Sequence, residues 1–259
     1  MPADYTHYRF GIQMLSAMPA DLARVVKRHR RLYDIGLHGP DIFFYNPLLK
    51  LKGEKPGPYF HKQSGKEFFG RVCRMIRMNP SEAATAYLYG ILGHYALDSI
   101  FHPYITSTVD FDGDHLSMEK EFDRHLLELD GKTPAHSYDA SGHMKLTDKE
   151  CKIVSQFFPG ITAGQVSTSV RQMATVTKIL AVEDGLRRKA LEKAIRSAGA
   201  RAASVLMPHQ PHEKFNSLVP LFTQFYQQAE KRYLSLQLQL YAHLSYNAPL
   251  GPDFEPDFG

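Results

Sequence analysis

The chain has 259 residues, of which 43% are hydrophobic and 22% are charged, proportions that are ordinary for a globular protein and exclude wholesale disorder. Its formal net charge of +4, from 31 basic and 27 acidic side chains, is too small and too dispersed to indicate a nucleic-acid-binding protein. A chain of this length can bury a large core, and we expect one large domain.

Helical periodicity dominates the chain. In AMPADLARVVKRHRRLYDIG, apolar residues recur at helical spacing from about Asp21 until Gly36. A second helix is predicted from about Ser81 to Phe101, and it should end at Pro103, because the residue before a proline avoids the helical conformation. A third is predicted from about Asp114 to Asp130. Further helices are predicted over residues 148–158, 163–182, 184–204 and 212–243.

No segment shows a convincing alternating pattern of a β-strand. The sequence therefore predicts an all-α fold, a single-domain bundle of seven to nine helices over residues 1–245. Residues 36–65 and 132–147 are predicted to be long loops, which are often functional in compact domains. Residues 246–259 form a Pro/acid-rich C-terminal tail without periodicity. We expect this tail to lie on the surface or to be disordered.

Other features indicate little specialised chemistry. Cys73 and Cys151 are far apart and fit no paired metal or redox pattern, so no disulfide framework is implied. The basic residues 27–31 end an amphipathic segment, where they are expected to be a solvated helix end, with a docking patch for anionic lipid or nucleic acid as the less favoured alternative. No apolar run reaches the ~18 residues of a membrane span, and residues 1–11 lack a signal-peptide pattern. We expect a cytoplasmic protein, or a secreted one if a leader has been removed.

The segment LGHYALDSIFHPY, residues 92–104, places His94 and Asp98 one helical turn apart. Residues i and i+4 share a helix face, so an imidazole and a carboxylate can point at one position. His115 and Glu119 repeat this spacing on the next helix, and His102 lies between the pairs. A lone histidine on an apolar face is usually a core residue, but burying Asp98 is costly unless it is paired or binds a cation. Imidazole and carboxylate ligands together favour zinc.

A calcium loop is a competing interpretation of the same region. Asp110, Asp112 and Asp114 stand at positions 1, 3 and 5 of an EF-hand pattern, with Glu121 at position 12. Glycine stands at position 4 instead of 6, however, and the apolar helix begins inside the loop. The chain contains no GxSxG nucleophile motif, phosphate-binding loop or dinucleotide fingerprint. Metal chemistry is the strongest hypothesis.

The segments LHGPDIFFY, LGHYALDSIFHPY and HLSMEKEF, with THYRFG near the N-terminus, resemble the motifs of the zinc-dependent phospholipase C family. That family shares its fold with zinc-dependent single-strand nucleases, and the resemblance covers about residues 5–120. It implies an all-α bundle with up to three zinc ions in a cleft, and hydrolysis of phosphate esters.

The resemblance also implies a role for eight residues of this chain. Asp98 would bridge the first zinc site to the third ion, and Asp41 is in addition a candidate general base. The implied ligands are Asp41, His61, His94 and Asp98 for the first ion, His102, His115 and Glu119 for the second, and His7 for the third.

The chain departs from the family pattern in two places. It has no tryptophan, whereas secreted members bind the third zinc through an N-terminal tryptophan. Pro2, Asp4 or water would complete that site, or only two ions bind. Ile42 replaces an aromatic residue of the choline-preferring relatives, so choline is not favoured. Other aromatic walls could come from Phe43, Phe44, Tyr45, Tyr59 and Phe60, and His38 could support the ligands or be solvated.

These observations predict a zinc-dependent phosphodiesterase of the phospholipase C type that acts on a phospholipid or head-group ester through a metal-activated water. Contact with a membrane would be transient and made by surface loops. A single-strand nuclease or nucleotidase on the same fold is the first alternative. A non-enzymatic, metal-stabilised helical protein is the second, because a fold does not guarantee a function. The sequence leaves the oligomeric state open.

Overall fold

The computed structural model describes residues 4–108 and 112–259, and it shows an all-α protein. Within these residues there is no β-strand, only two isolated bridges. Twelve α-helices follow one another in the same part of the chain: Asp4–Met14 (α1), Ala20–Arg28 (α2), Arg30–Gly36 (α3), Pro56–His61 (α4), Gly65–Met78 (α5), Glu82–Thr108 (α6), Asp112–Leu129 (α7), Asp148–Ser155 (α8), Ala163–Leu180 (α9), Leu186–Ser197 (α10), Ala200–Ala203 (α11) and Val219–Tyr246 (α12).

The helices are more numerous than the predicted seven to nine, because several predicted segments are divided. The helix expected from about Asp21 breaks at His29, whose φ of −113° and ψ of 39° are not helical, into α2 and α3. The segment 184–204 divides at Gly199, which has a positive φ of 108°. The predicted loop 36–65 contains a 3₁₀ segment, Gly39–Tyr45, and α4.

Pro103 does not end the long helix α6, contrary to the sequence prediction. The helix continues to Thr108 with Pro103 inside it. The proline is exposed, whereas His102 and Ile105 on either side are buried. Inward packing of these neighbours outweighs the loss of one backbone hydrogen bond at the proline.

Helix α6 is the centre of the bundle. All residues from 86 to 98 are buried, and the helix contacts α1, α2, α3, α5, α7, α8 and α12. Where α3 crosses it, the backbones touch, since a Cβ added at Gly90 would lie 2.3 Å from the Tyr33 carbonyl oxygen. A helix enclosed on all sides is a rigid support for polar groups that must be held in the core. None of the helices in the described ranges is both long and apolar enough to cross a bilayer.

Most residues of the C-terminal tail lie at the surface, as expected, but three of its side chains are anchored in the core. Leu250, Phe254 and Phe258 are buried, and the Pro256 carbonyl accepts a hydrogen bond from the Gly65 backbone N–H at 2.8 Å. The Tyr95 hydroxyl of α6 donates to the carbonyls of Asp253 and Pro256. Apolar side chains spaced four residues apart thus anchor a segment whose overall composition is polar.

Candidate metal centre

Three polar side chains lie along one face of α6. His94 and Asp98 are 0% and 2% exposed, and Nε2 of His94 lies 3.0 Å from Oδ2 of Asp98. One turn further along, Nε2 of His102 lies 3.7 Å from the same oxygen. The helical spacing predicted by the sequence therefore brings both imidazoles to one carboxylate.

Three ligand candidates reach this face from other elements. From α1, Nε2 of His7 lies 3.1 Å from Oδ1 of Asp98. Asp41 comes from the 3₁₀ segment Gly39–Tyr45, and His61 comes from the last position of α4. Nε2 of His61 lies 3.0 Å from Oδ1 of Asp41 and 3.7 Å from Oδ2 of Asp98. Four imidazoles thus surround the Asp98 carboxylate.

Helix α7 contributes the second group of side chains. Nε2 of His115 lies 2.9 Å from Oε1 of Glu119. The same oxygen lies 4.0 Å from Nε2 of His102 on α6, so His102 stands between the two groups. Ligand atoms lie within 4.8 Å of one another in each of two sets: His7, Asp41, His94 and Asp98, and His102, His115 and Glu119.

The buried polar atoms of this cluster are better placed to bind metal ions than to form hydrogen bonds with one another. Seven of them have no hydrogen-bond partner: Nδ1 of His7, Oδ1 of Asp41, both ring nitrogens of His94, Oδ2 of Asp98, Nε2 of His102 and Oε2 of Glu119. Each unsatisfied buried group costs about 1–3 kcal/mol. Ligands bound to zinc at about 2.0–2.1 Å in a tetrahedron are separated by about 3.3 Å, within the range of separations observed. The residues present therefore suit divalent cations.

Electrostatics put Asp98 and His102 into the protonation states of metal ligands. Burial alone would raise the pKa of Asp98, but the neighbouring His94, His102 and His7 hold it well below its usual value. Burial lowers the pKa of His102 to about 4, although the nearby carboxylates oppose this. At neutral pH the structure therefore holds an ionised carboxylate beside a neutral imidazole, the forms that bind a metal.

The Nε2 atom of His61 faces the carboxylates of Asp41 and Asp98. Its Nδ1 donates to the Gly57 carbonyl oxygen at 2.8 Å, which leaves Nε2 as the atom next to Asp41 and Asp98. Burial would lower the pKa of His61, but these two carboxylates raise it to about 10, so the ring must release the Nε2 proton when a metal ion binds. A backbone carbonyl that fixes the outer ring nitrogen is a common support for a metal-binding histidine.

Gly39 packs against the His94 ring, and a pair of histidines lies next to it in the chain and in the core. Gly39 has a φ of 48°, and a Cβ at this position would lie 2.3 Å from Cδ2 of His94. His38 is buried and not solvated, because its Nε2 lies 2.7 Å from Nε2 of His143. The His143 ring in turn stacks on Tyr8, with ring centroids 3.8 Å apart. Burial lowers the pKa of both histidines, that of His143 to about 4.

The C-terminal tail also reaches this centre, which the sequence analysis did not predict. The Phe258 backbone N–H donates to the His61 carbonyl oxygen at 2.9 Å, and its ring centroid lies 6.1 Å from that of His94. A Cβ added at Gly259 would lie 2.4 Å from Cγ of His102. The available signal was the spacing of Phe254 and Phe258 within an otherwise polar segment.

Several residues that the sequence analysis expected at the centre lie elsewhere in the structure. The Asp4 carboxylate accepts hydrogen bonds from the Tyr45 and Thr177 hydroxyls. Phe43 and Phe60 are 1% exposed and pack on one another in the core. These three side chains are therefore occupied in packing or hydrogen bonds. Phe44 does lie beside His61, with ring centroids 5.5 Å apart, while Pro2 lies outside the described residues.

The calcium interpretation does not agree with the structure. Helix α7 begins at Asp112, so most of the expected 12-residue loop is helical, whereas an EF-hand needs a loop there. Asp114 accepts a hydrogen bond from Lys214, and Glu121 binds Arg124 in the core. Asp110 lies outside the described residues.

An apolar cavity of about 480 Å³ adjoins the helices that carry candidate ligands, but its described wall contains none of the eight ligand side chains themselves. On α7, Leu116 and Lys120 of its wall directly follow His115 and Glu119, and on α1, Tyr5 lies two residues before His7. The rest of the wall is mainly apolar and comes largely from α9, α10 and α11, including Val176, Leu180, Ile195, Val205 and Met207.

A family model described as zinc-dependent phospholipase C matches residues 6–161. This is more than half of the chain. The chain belongs to the zinc-dependent phospholipase C family. No curated protein and no solved structure shows significant similarity to it. Membership in the family agrees with the all-α fold and with the buried histidine and carboxylate groups, and it implies a zinc-dependent hydrolase.

Proposed function

We propose that the protein is a zinc-dependent phosphodiesterase of the phospholipase C type. The observation that carries the proposal is the Asp98 carboxylate, which lies within 3.0–3.7 Å of four imidazoles in a buried site. The eight residues His7, Asp41, His61, His94, Asp98, His102, His115 and Glu119 are proposed as ligands of two or three zinc ions.

Within this site the side chains have distinct roles. Zinc, when bound, would supply positive charge that attracts a phosphate ester and would lower the pKa of water toward ~7. Asp98 would hold the four imidazoles in one array, because its ionised form is favoured by them. The pKa of Asp41 is likewise lowered, since His94 and His61 outweigh its burial. Asp41 is therefore an ionised acceptor that could take the proton of the attacking water.

The apolar cavity favours a lipid over a nucleic acid as the substrate. Its volume of about 480 Å³ falls in the range of small-molecule pockets, and its wall is mainly apolar. A phosphate ester at the centre could place an acyl chain there, whereas a single-stranded nucleic acid needs stacking rings and a basic groove. A phospholipid or head-group ester is thus the preferred substrate, with transient membrane contact. A cytoplasmic location remains a prediction.

The experiment compares zinc-loaded wild type with Asp98→Asn on three substrates. These are phosphatidylethanolamine vesicles, a soluble aryl phosphodiester and single-stranded DNA. We expect wild type to release phosphorylated head groups from the vesicles faster than nucleotides from DNA. Asp98→Asn should lose at least one zinc ion per chain and on the order of 10³-fold in rate, because charge stabilisation is usually the largest catalytic contribution.

Asp21→Asn is the matched control, since this carboxylate is 91% exposed and pairs with Arg24 across one helical turn. It should keep both zinc and activity. Faster hydrolysis of DNA would favour the nuclease alternative. Less than one zinc per chain, or full activity in Asp98→Asn, would contradict the zinc-dependent mechanism.

A further inference from the structure

A second cluster of possible ligands lies away from the candidate metal centre. It combines His136 of the 3₁₀ segment Ala135–Ser137, Asp184 of the turn between α9 and α10, and His209 of the segment after α11. Nε2 of His136 lies 3.2 Å from Oδ1 of Asp184, and Nδ1 of His209 lies 3.5 Å from the same oxygen. The two imidazole centroids are 4.1 Å apart.

His136 supplies an independent reason to place a ligand here. The side chain is 5% exposed, and its Nε2 has no hydrogen-bond partner. The nearby Asp184 carboxylate is 68% exposed and could be hydrated by solvent alone. Its Oδ1 nevertheless lies 3.2 Å from Nε2 of His136, without the geometry of a hydrogen bond. One cation between the two groups would satisfy the buried nitrogen and explain the position of the carboxylate.

The outer atoms of His209 are already arranged as in a metal site. Its Nε2 donates to Oε1 of Glu192 at 2.9 Å, so Nδ1 is the nitrogen without a proton. A carboxylate that orients the far side of a metal-binding histidine is a recurrent support. The Arg188 Nε–H donates to Oε1 of Glu192 at 2.6 Å. The same guanidinium also donates to the carbonyls of Met207 and Leu180. The Arg188 and Glu192 charges offset each other.

We propose that His136, Asp184 and His209 bind a divalent ion of the zinc class. The measured separations of 3.2 and 3.5 Å agree with the ~3.3 Å expected between ligands of a tetrahedral zinc. Two nitrogens and one oxygen leave a fourth position for water. The ion would tie together three segments distant in sequence, two of which lie beyond the family match. Since His136 and Met207 also line the apolar cavity, the site would stabilise its wall.

The first test is zinc content measured by mass spectrometry on the full chain, after equilibration with zinc and dialysis. Asp184→Asn and His209→Ala should each contain one zinc ion fewer than wild type and should gain less thermal stability from zinc. Both positions are largely exposed, so the variants should fold. His29→Ala is the control, because His29 pairs with Glu82 at the surface, outside both clusters. Equal zinc content in all four proteins would overturn the proposal.

The second test separates this site from the catalytic proposal. Calorimetric titration of Asp98→Asn with zinc should show one binding event that disappears on adding Asp184→Asn, in addition to any ion that His102, His115 and Glu119 still bind. Glu192→Gln should weaken this event on the order of 10–100-fold, as is typical for a residue that orients a ligand. An unchanged binding event in Asp98→Asn/Asp184→Asn would overturn the second site while leaving the phosphodiesterase proposal intact. If the binding event is lost on adding Asp184→Asn but the zinc-loaded wild type hydrolyses no phosphodiester, the second site would be supported and the phosphodiesterase proposal would be overturned.

Discussion

Two regions of the chain contribute differently to the candidate metal centre: residues 6–161 and residues 162–259. The first region matches the family and contains all eight proposed ligands of the main centre. The second contains none of them, yet Phe258 hydrogen-bonds to the ligand-bearing segment at His61, and α9 and α10 enclose the apolar cavity. The proposed ligands thus come from one part of the chain, whereas their surroundings come from both parts.

This difference indicates that the identity of the ligand residues does not by itself determine the geometry of the site. Helix α12 of the second region packs along α6, the helix that carries His94 and Asp98. The rings of Phe254 and Phe258 pack around Tyr95 of the same helix. Ligand geometry therefore depends on contacts that no ligand motif contains, and variants that keep every ligand can test this dependence.

The largest effect is expected from Gly39→Ala in the first region. The residue has a φ of 48°, and the new Cβ would lie 2.3–2.8 Å from three atoms of the His94 ring. Displacement of His94 should lower phosphodiesterase activity at least ~100-fold, as even ~1 Å misplacement can do, and should reduce zinc content. Gly142→Ala is the control, since its Cβ meets nothing within 4 Å. A fully active Gly39→Ala would show that ligand identity suffices.

Phe258→Ala tests the contribution of the second region. The ring is 1% exposed and packs against Phe68, Phe69 and Tyr95. Its loss should lower the free energy of unfolding by about 3–5 kcal/mol, measured by urea denaturation, and should weaken zinc binding at the main centre. Tyr246→Ala, at a position 75% exposed, should have little effect. If zinc affinity were unchanged in Phe258→Ala, the tail would stabilise the fold alone.

His143→Gln tests how far the supporting residues influence stability at acidic pH. Burial and Arg30 lower the pKa of His143 from 6.5 to about 4 in the folded protein. The unfolded chain therefore binds a proton first as the pH falls, and the wild type loses stability between pH 6.5 and 4.

This loss corresponds to at most about 3.4 kcal/mol for the full pKa difference between 6.5 and about 4, and partial exposure of the ring reduces it to about 1–2 kcal/mol. His143→Gln should flatten the dependence of unfolding free energy on pH by that amount, measured by urea denaturation at half-unit intervals. His29→Gln controls for removing a surface histidine. A variant with the wild-type slope would contradict the predicted role of His143.

Val176→Glu should have the smallest effect and addresses the cavity. Val176 lines the cavity and is 39% exposed, so the variant should fold. A charge there should disfavour an acyl chain and reduce hydrolysis of long-chain phospholipid about 10-fold, a difference of about 1.4 kcal/mol. Hydrolysis of the soluble phosphodiester should stay unchanged. Ile179→Glu, 51% exposed and not part of the cavity wall, is the control. Equal losses on both substrates would rule out the cavity as a substrate subsite.

The sequence by itself determined the all-α class and the proximity of two pairs of proposed ligands. His94 with Asp98, and His115 with Glu119, are one helical turn apart, so their proximity follows from helix geometry alone. The family motifs added Asp41, His61 and His7, which helical spacing could not connect. The break at His29 and the continuation of α6 past Pro103 depend on packing, so local preferences predicted them wrongly.

Only the tertiary structure decided the contacts between distant segments. The approach of Phe258 to His61, the position of Gly39 behind His94 and the meeting of His136, Asp184 and His209 join residues far apart in the chain. Such contacts arise when whole helices pack, and no local periodicity specifies which faces will meet. The chemistry of the ligands was therefore visible in the sequence, whereas their supports and the second cluster required the folded protein.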